Sequence, residues 1–273
     1  GGCRGRTRRL PAWLRRAIPS GGKKGAVDTY LHDHGIHTVC REARCPNRGE
    51  CYGRGTATFL VMGNVCSRDC RFCSVNHGMP ERLDPREPAR IARAARHMEL
   101  SHVVVTSVTR DDCPDGGAAH FALVIREIRT HNPACTIEVL IPDFQGSAEA
   151  LRVVCDAAPD VLNHNVETVP RLYPGVRPQA DYASSLTLLR RAAGHASSPV
   201  VKSGLMVGLG EREHEVMETL GDLHENGCSV VTIGQYLRPT KDQLPVQEFL
   251  DSSEFKELER VGEEIGFTSV VAG

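Results

Sequence analysis

A regular alternation of short β-branched segments with amphipathic segments is the feature that most restricts how this chain can fold. Segments rich in valine, isoleucine and threonine predict buried strands over residues 56–63, 102–108, 135–141, 161–166, 200–208 and 229–234. Amphipathic segments predict helices over residues 87–100, 117–131, 147–157, 182–194, 211–226 and 252–266. This alternation favours right-handed βαβ units and a parallel sheet.

The number of repeats indicates which parallel fold to expect. About six strand-helix repeats favour a partial or complete α/β barrel over a short doubly wound sheet. A chain of 273 residues with 40% hydrophobic content can bury one large core or two modest ones, and a barrel of this size would be a single domain. In a barrel the chemistry lies on loops at the carboxyl ends of the strands. The segment "CSRDCRFC" (Cys66–Cys73) follows the first predicted strand, where this rule places a site.

The charge balance argues against partners that bind by bulk attraction. The chain has 33 basic and 34 acidic residues, no apolar run near the roughly 20 residues of a membrane span, and no secretory signal pattern. We therefore expect a soluble protein that is not secreted and binds neither nucleic acid nor membrane. Residues 1–24 are basic without an acidic residue, which fits a transit peptide or an RNA-binding arm, although a solvated, flexible extension is the simpler interpretation.

Eleven cysteines point to metal binding. An odd count, no signal peptide and a long chain argue against a disulfide framework. Six of the cysteines fall between Cys40 and Cys73. The other five are spread singly and are interpreted as small buried or idle thiols: Cys3, Cys113, Cys135, Cys155 and Cys228.

Cys66, Cys70 and Cys73 form a C-x3-C-x2-C group without a fourth local ligand. Zinc sites usually pair two C-x2-C units to give four ligands. A 4Fe-4S cluster held by only three thiolates leaves one iron open to a small molecule. The spacing favours such a cluster, with zinc or a purely structural cluster as the alternatives.

This triplet, with Phe72 before its last cysteine, resembles the radical S-adenosylmethionine superfamily. The resemblance implies that three thiolates hold a 4Fe-4S cluster whose open iron is chelated by S-adenosylmethionine. "GLMVGLGE" (Gly204–Glu211) is similar to the superfamily's G-x-I-x-G-x-x-E pattern, although a tight strand-to-helix turn explains it as well.

A second group, Cys40, Cys45 and Cys51, is spaced C-x4-C-x5-C, which fits a zinc finger poorly and an auxiliary iron-sulfur cluster better. Around both groups, "HTVCREARCPNRGEC", "EVLIPDFQG", "NHNVETVPRLYPGVRP" and "TIGQYLRPT" occur in an order that resembles the lipoyl synthase family over residues 10–273. The resemblance implies an arm and auxiliary-cluster segment over residues 1–55 and a partial (β/α)6 barrel over residues 56–273.

The resemblance also implies an activity: insertion of two sulfur atoms at C6 and C8 of an octanoyl chain on a lysine of a lipoyl carrier protein. A 5'-deoxyadenosyl radical removes hydrogen from each unactivated carbon, and the auxiliary cluster is consumed as the sulfur source. The implied cofactors are two 4Fe-4S clusters and two S-adenosylmethionine molecules per lipoyl group.

The partners implied by the resemblance are octanoylated lipoyl domains of 2-oxoacid dehydrogenase complexes, the glycine cleavage H protein, ferredoxin or flavodoxin as reductant, and iron-sulfur carrier proteins. Bacterial cytoplasm is the expected location, with an organelle matrix as the lesser option. The implied pocket residues besides Phe72 are Ser107, Asn163, Asn165, Glu167, Lys202, Gly208, Gln235 and Tyr236. Arg44 and Arg177 are candidates to position a carboxylate or the carrier, although loop arginines are commonly solvated.

Two departures from the family pattern and two other function classes stay open. The family's auxiliary cluster takes a serine from an Arg-Ser-Ser-Tyr segment beyond the last strand, and the sequence ends at Gly273, so no serine is assigned. This predicts either a piece of a complete enzyme or a labile auxiliary cluster. Cys113 replaces an apolar residue and is expected to be tolerated. The alternatives are a zinc-stabilised binding module with an RNA arm, and another radical sulfur-inserting enzyme such as a transfer-RNA methylthiotransferase or a biotin-synthase-like protein.

Overall fold

The computed structural model describes residues 22–42 and 48–273. Its α-helices are α1 (Gly22–Asp33), α2 (Val39–Glu42), α3 (Arg48–Gly53), α4 (Glu87–His97), α5 (Ala118–His131), α6 (Ala148–Asp156), α7 (Tyr173–Val176), α8 (Tyr182–Ala193), α9 (Glu213–Glu225) and α10 (Ser252–Ile265). Its strands are β1 (His37–Thr38), β2 (Thr56–Val61), β3 (Val65–Cys66), β4 (Asn76–His77), β5 (His102–Ser107), β6 (Thr136–Leu140), β7 (Val161–Asn163), β8 (Val200–Val207), β9 (Val230–Gln235) and β10 (Ser269–Ala272).

One sheet contains most of the strands, in the order β1-β2-β5-β6-β7-β8-β9-β10. Neighbours from β2 to β10 are parallel, whereas β1 runs antiparallel to β2. Within the described residues β1 and β10 are unjoined edges, so the sheet is an open partial barrel. The six predicted strands and six predicted helices are confirmed with small shifts at their ends, and β10 extends the parallel sheet beyond the sixth repeat.

The helices between the parallel strands cover one face of this sheet. Because the strand order follows the chain, right-handed crossovers place successive helices on the same face, and α4, α5, α6, α8, α9 and α10 each pack against the next. In α5 the fully buried residues Phe121, Val124, Ile125 and Ile128 recur at helical spacing. All the parallel strands consequently end at the same edge, where the loops meet.

The segment before β2 packs into the same core as the barrel. Helix α1 begins at Gly22, inside the basic segment that the sequence predicted to be a flexible extension, and residues 1–21 lie outside the described part. Leu31 and Ile36 are buried in the main core, and His37 of β1 pairs with Leu60 of β2. Among the described helices, none has the length and apolar character needed to cross a membrane.

Gly208 is a position where only glycine fits. Its φ is +100°, and a Cβ there would lie 2.4 Å from both Gln235 Nε2 and the Glu248 carbonyl oxygen. We predict that Gly208→Ala lowers the free energy of unfolding by about 2 kcal/mol or more, since it combines backbone strain with a steric clash.

The matched control is Gly221→Ala in helix α9, where a Cβ would meet no atom within 4 Å. Alanine there should stabilise the chain by up to about 1 kcal/mol through helix propensity. Urea unfolding of the cluster-free chain measures both effects, and equal midpoints for the two variants would contradict the packing described at Gly208.

Candidate functional site

The three cysteines of the C-x3-C-x2-C group line one cavity of about 300 Å³ at the carboxyl ends of the strands. The cavity lies beneath the loop that follows β2, here called the cysteine loop (residues 64–78). The end of β5 at Ser107 and the loops after β6 and β7, with Ile141 and Glu167, contribute other parts of the wall. The barrel rule therefore predicted the correct edge of the sheet.

Local backbone pairing shapes the cysteine loop. Strands β3 and β4 bring its two ends together, with Cys66 opposite His77, and the Gly78 amide donates to the Cys66 carbonyl over 2.9 Å. At the far side of the loop, the Arg71 amide donates to the Val176 carbonyl over 2.9 Å, and the Arg71 carbonyl accepts from the Leu244 amide over 3.1 Å. The loop is therefore anchored at its base and near its tip.

Backbone amides point at two of the three sulfur atoms. Cys66 Sγ accepts from the amides of Thr109 over 3.3 Å and Arg68 over 3.5 Å, and Cys73 Sγ accepts from the Val75 amide over 3.5 Å. All three cysteines are free thiols. Burial raises the pKa of Cys70 to about 12, against the opposing charge of Arg177, and burial also raises the pKa of Cys73. Thiolate ligation must therefore displace protons when a metal centre binds.

The thiols surround a space and do not share a point. In the described part of the chain, no three His, Cys, Asp or Glu side chains converge closely enough to hold a single metal ion. In a 4Fe-4S cluster each thiolate binds a different iron. Three thiols around one cavity therefore suit a cluster better than a single zinc ion.

Three residues that line this cavity contain buried polar atoms without partners among the described residues. Ser107 Oγ, Asn165 Oδ1 and Arg177 Nε are buried and have no hydrogen-bond partner among the described residues, and all three residues line the cavity. Leaving such a group unsatisfied costs about 1–3 kcal/mol. Their presence at one site indicates that a polar ligand completes their hydrogen bonds.

Glu167 adds a strained carboxylate to the same wall. Its φ of +67° is rare for a non-glycine residue, and its backbone is held to β8 by bonds with Gly204 and Met206. Burial raises the pKa of Glu167, although the charge of Arg177 and a hydrogen bond with Asn165 oppose the change. Backbone strain and a desolvated carboxylate together are typical of a binding site.

Two predicted pocket residues lie elsewhere in the barrel. Lys202 Nζ forms an ion pair of 2.9 Å with Glu138 Oε1, and Asn163 Nδ2 donates to the same oxygen over 3.3 Å. His102 Nε2 lies 3.2 Å from the other oxygen of Glu138. Neither Lys202 nor Asn163 lines the cavity of the cysteines, so their role in the pocket stays a prediction.

Gly208, Gln235 and Tyr236 also lie outside the cavity lining. Gln235 Nε2 donates to the Glu248 carbonyl over 3.0 Å, and the Tyr236 hydroxyl donates to the Leu244 carbonyl over 2.8 Å. These bonds fasten the segment after β9. Phe72, by contrast, lines the cavity and also packs against the small apolar cluster that contains Tyr236.

The second cysteine group is only partly visible. Cys45 and Arg44 lie outside the described residues, and for Cys40 the backbone alone is described, in helix α2. Cys51 is half-buried in helix α3. Val39, the neighbour of Cys40, lines the cavity of the first group. This contact places the start of helix α2, which contains Cys40, beside the cavity.

Sequence reasoning missed the most highly paired side chain of the site, Arg68. Its guanidinium is bound by Asp111 at 2.6 and 3.0 Å and by Asp143 at 2.6 and 2.7 Å. Burial acts to raise the pKa of Asp143, but the hydrogen bonds and charge of Arg68 outweigh it and hold that pKa below its usual value. The sequence offered one signal for it: an arginine inside the C-x3-C-x2-C group, together with aspartates that follow two predicted strands.

The family comparisons agree with this geometry. A model described as the radical SAM superfamily matches residues 60–223, and a model described as the N-terminal domain of lipoyl synthase matches residues 3–45. A lipoyl synthase of Caldanaerobacter subterraneus subsp. tengcongensis is 52% identical over 98% of this chain and 93% of its own length. A lipoyl synthase of Rubrobacter xylanophilus is 50% identical over 96% of this chain and 82% of its own length.

Solved structures support the fold alone. The maturase HydG of the [FeFe]-hydrogenase has a TM-score of 0.60 at 19% identity, covering 91% of this chain and 62% of its own. Methylornithine synthase (PylB) has a TM-score of 0.56 at 14% identity, covering 93% of this chain and 79% of its own.

The histidine of the cavity wall gives a pH-dependent prediction. His164 is 1% exposed, its Nδ1 donates to the Ile141 carbonyl over 2.9 Å, and its Nε2 lies 3.0 Å from Ser185 Oγ. Burial and the charge of Arg177 lower the pKa of His164 to about 4. In the unfolded chain this histidine takes up a proton near pH 6.5, whereas in the folded chain it stays neutral until about pH 4. Its contribution to the free energy of unfolding is therefore full above pH 6.5 and is lost as the pH falls toward 4.

Between pH 7.5 and pH 5 the free energy of unfolding of the cluster-free chain should fall by about 2 kcal/mol because of His164. His164→Gln should remove that part of the decrease. Urea unfolding at the two pH values gives the difference. His32→Gln, which changes an exposed histidine, is the control and should keep the wild-type slope. A full pH-dependent loss in His164→Gln would rule out the buried neutral histidine.

Proposed function

Since this chain belongs to the lipoyl synthase family of the radical S-adenosylmethionine superfamily, we propose that its two cysteine groups divide the work of sulfur insertion. The family inserts sulfur into an octanoyl chain to form the lipoyl group. Membership of this family implies that the chain uses a 4Fe-4S cluster, S-adenosylmethionine and a lipoyl-carrier substrate. The family predicted from the motifs is confirmed. One observation carries the role proposed for the first group: a single cavity is lined by its three free thiols and by residues with unpartnered polar atoms among the described residues.

The residues around the cavity fit the first cluster. Cys66, Cys70 and Cys73 supply three thiolates, and amides already point at the sulfur atoms of Cys66 and Cys73. Such N–H bonds stabilise the negative charge that thiolates bring to a cluster. The bound cluster and S-adenosylmethionine together supply a 5'-deoxyadenosyl radical, which can remove hydrogen from carbon that no neighbouring group acidifies.

The unpartnered polar groups fit an amino-acid cofactor. Arg177, which is 8% exposed, has a free Nε that can donate to a carboxylate. Asn165 Oδ1 can accept from an ammonium or a ribose hydroxyl, and the Ser107 hydroxyl can do either. Glu167 adds a negative charge where an ammonium or sulfonium would be held. We assign these four residues to S-adenosylmethionine and leave Asn163, Lys202, Gly208, Gln235 and Tyr236 as supports of the surrounding wall.

The apolar part of the cavity fits an octanoyl chain. Leu60, Val108 and Leu140 line it beside the cysteines. These side chains can hold an alkyl chain and keep water away from a reactive radical. The carbons at C6 and C8 have no polar neighbour, so apolar contacts are what the cavity can offer to hold them.

We assign the sulfur source to Cys40, Cys45 and Cys51, which would bind the auxiliary 4Fe-4S cluster as a consumed substrate. The contact of Val39 with the cavity supports the short path that sulfur transfer needs. The partners that follow are octanoylated lipoyl domains and the glycine cleavage H protein, a ferredoxin or flavodoxin, and iron-sulfur carriers that rebuild the cluster. Bacterial cytoplasm supplies these components together.

Cysteine variants separate the two roles. Cys70→Ala should abolish both 5'-deoxyadenosine and lipoyl product, because the radical cannot form. Cys45→Ala should keep at least part of the 5'-deoxyadenosine and lose the lipoyl product. Both products are measured by mass spectrometry with an octanoylated carrier under anaerobic conditions.

Cys113→Ala is the matched control, since Cys113 is a half-buried free thiol outside the cavity lining. It should keep both products near wild-type levels. Equal loss of both products in Cys45→Ala and Cys70→Ala would count against the division of labour.

Metal content gives a further prediction that needs no turnover. After anaerobic reconstitution the chain should hold about eight irons with matching sulfide, and Cys45→Ala about four, because each 4Fe-4S cluster carries four. Iron and sulfide assays with zinc analysis measure this. Four irons in the unchanged chain would remove the auxiliary cluster from the proposal, and zinc in place of iron would favour the binding-module alternative.

A further inference from the structure

Arg68 connects three separate loops at one point. It lies between the ligands Cys66 and Cys70, is 7% exposed, and binds Asp111 of the loop after β5 and Asp143 of the loop after β6. Lysine could not replace it, because only the planar guanidinium can satisfy two carboxylates with paired bonds. The three residues Arg68, Asp111 and Asp143 are here called the arginine bridge.

A second set of bonds leads from the arginine bridge to a ligand sulfur atom. The Asp111 amide donates to Ser67 Oγ over 3.1 Å, and Ser67 in turn donates to the Thr109 carbonyl through its amide and its hydroxyl, both over 3.0 Å. The Thr109 amide then donates to Cys66 Sγ over 3.3 Å. The position of this amide at the sulfur therefore depends on how firmly the loop after β5 is held against the cysteine loop.

We propose that Arg68 is a positioning residue that fixes the Thr109 amide at Cys66 before any cluster binds and thereby raises the reduction potential of that cluster. The inference rests on the proposed function for the identity of the cluster. An N–H bond to a ligand sulfur stabilises the reduced, more negative state, so its loss lowers the potential. The Arg68 guanidinium bonds to Asp111 and Asp143, and only the backbone amide of Arg68 reaches Cys66 Sγ, over 3.5 Å. The side chain is therefore assigned a positioning role and not a catalytic one.

The arginine bridge ties the cysteine loop to the loops after β5 and β6. Charge-assisted bonds are among the strongest noncovalent contacts, and removing the guanidinium leaves the buried carboxylate of Asp143 and the partly exposed carboxylate of Asp111 without this partner. The bridge also depends on charge balance, since one guanidinium faces two carboxylates. A substitution that keeps the positive charge is therefore the cleanest test.

The test compares Arg68→Lys with Arg71→Lys, which changes an exposed arginine of the same loop. In the cluster-free full chain, hydrogen exchange should show faster exchange over residues 66–68 and 107–111 in Arg68→Lys only. In cluster-loaded chains that also carry Cys45→Ala, so that one cluster contributes, electron paramagnetic resonance titration measures the potential. Arg68→Lys should lower the reduction equilibrium constant about three- to tenfold, where tenfold equals 59 mV for one electron.

The outcomes separate the bridge from the proposed function. An unchanged rate of hydrogen exchange in Arg68→Lys overturns the inference. Faster exchange with an unchanged reduction potential overturns the statement that the arginine bridge raises the potential of the cluster. If no variant loads iron, the proposed function fails, while exchange still decides whether the bridge holds the loop. If Arg68→Lys does not fold, Asp111→Asn replaces it, since it keeps the shape of the side chain and removes one charge partner; it should speed exchange at residues 107–111 by a smaller factor.

Discussion

Parallel strands that end at one edge of the sheet are the constraint on which this site depends. In the described part of the chain seven such strands, from β2 to β10, lie side by side in chain order. Residues as far apart in sequence as Cys66, Ser107 and Glu167 therefore reach one cavity. The helices cover one face of the sheet, and the apolar surface buried between helices and sheet holds the strands in place.

The site itself contains groups that a stable fold would avoid. Cys70 is a half-buried thiol beside the charge of Arg177, Glu167 is a desolvated carboxylate in a strained conformation, and three buried polar atoms lack partners within the described residues. Each of these costs free energy in the cluster-free chain. Ligands that satisfy them recover this cost, so the chain should gain stability when its cluster and cofactor bind. The arginine bridge and the bonds from Gln235 and Tyr236 supply the rigid surroundings that such a site needs.

The outcome for the predicted pocket residues follows a physical pattern. Ser107, Asn165 and Glu167 lie at or beyond the ends of β5 and β7 and line the cavity. Position at a strand end is not sufficient, because Asn163 ends β7 and bonds to Glu138 instead. Lys202 lies deeper in β8 and finds the buried carboxylate of Glu138, which a family motif does not reveal. Gln235 and Tyr236 were also predicted from a family motif, but their side chains bond to the segment after β9 and not to the cavity. A motif indicates which residues have a role, whereas the tertiary contacts decide which partner each side chain binds.

The sequence by itself determined the parallel sheet, the order of its elements, the two cysteine groups and the family, because periodicity and spacing are local properties of the chain. Only the tertiary structure decided which side chains share the cavity, which polar atoms lack partners, and that Arg68 joins the loops of Asp111 and Asp143. These contacts join residues that are 43 and 75 positions apart. Such distant partners are chosen by packing of the whole barrel, which no local pattern encodes.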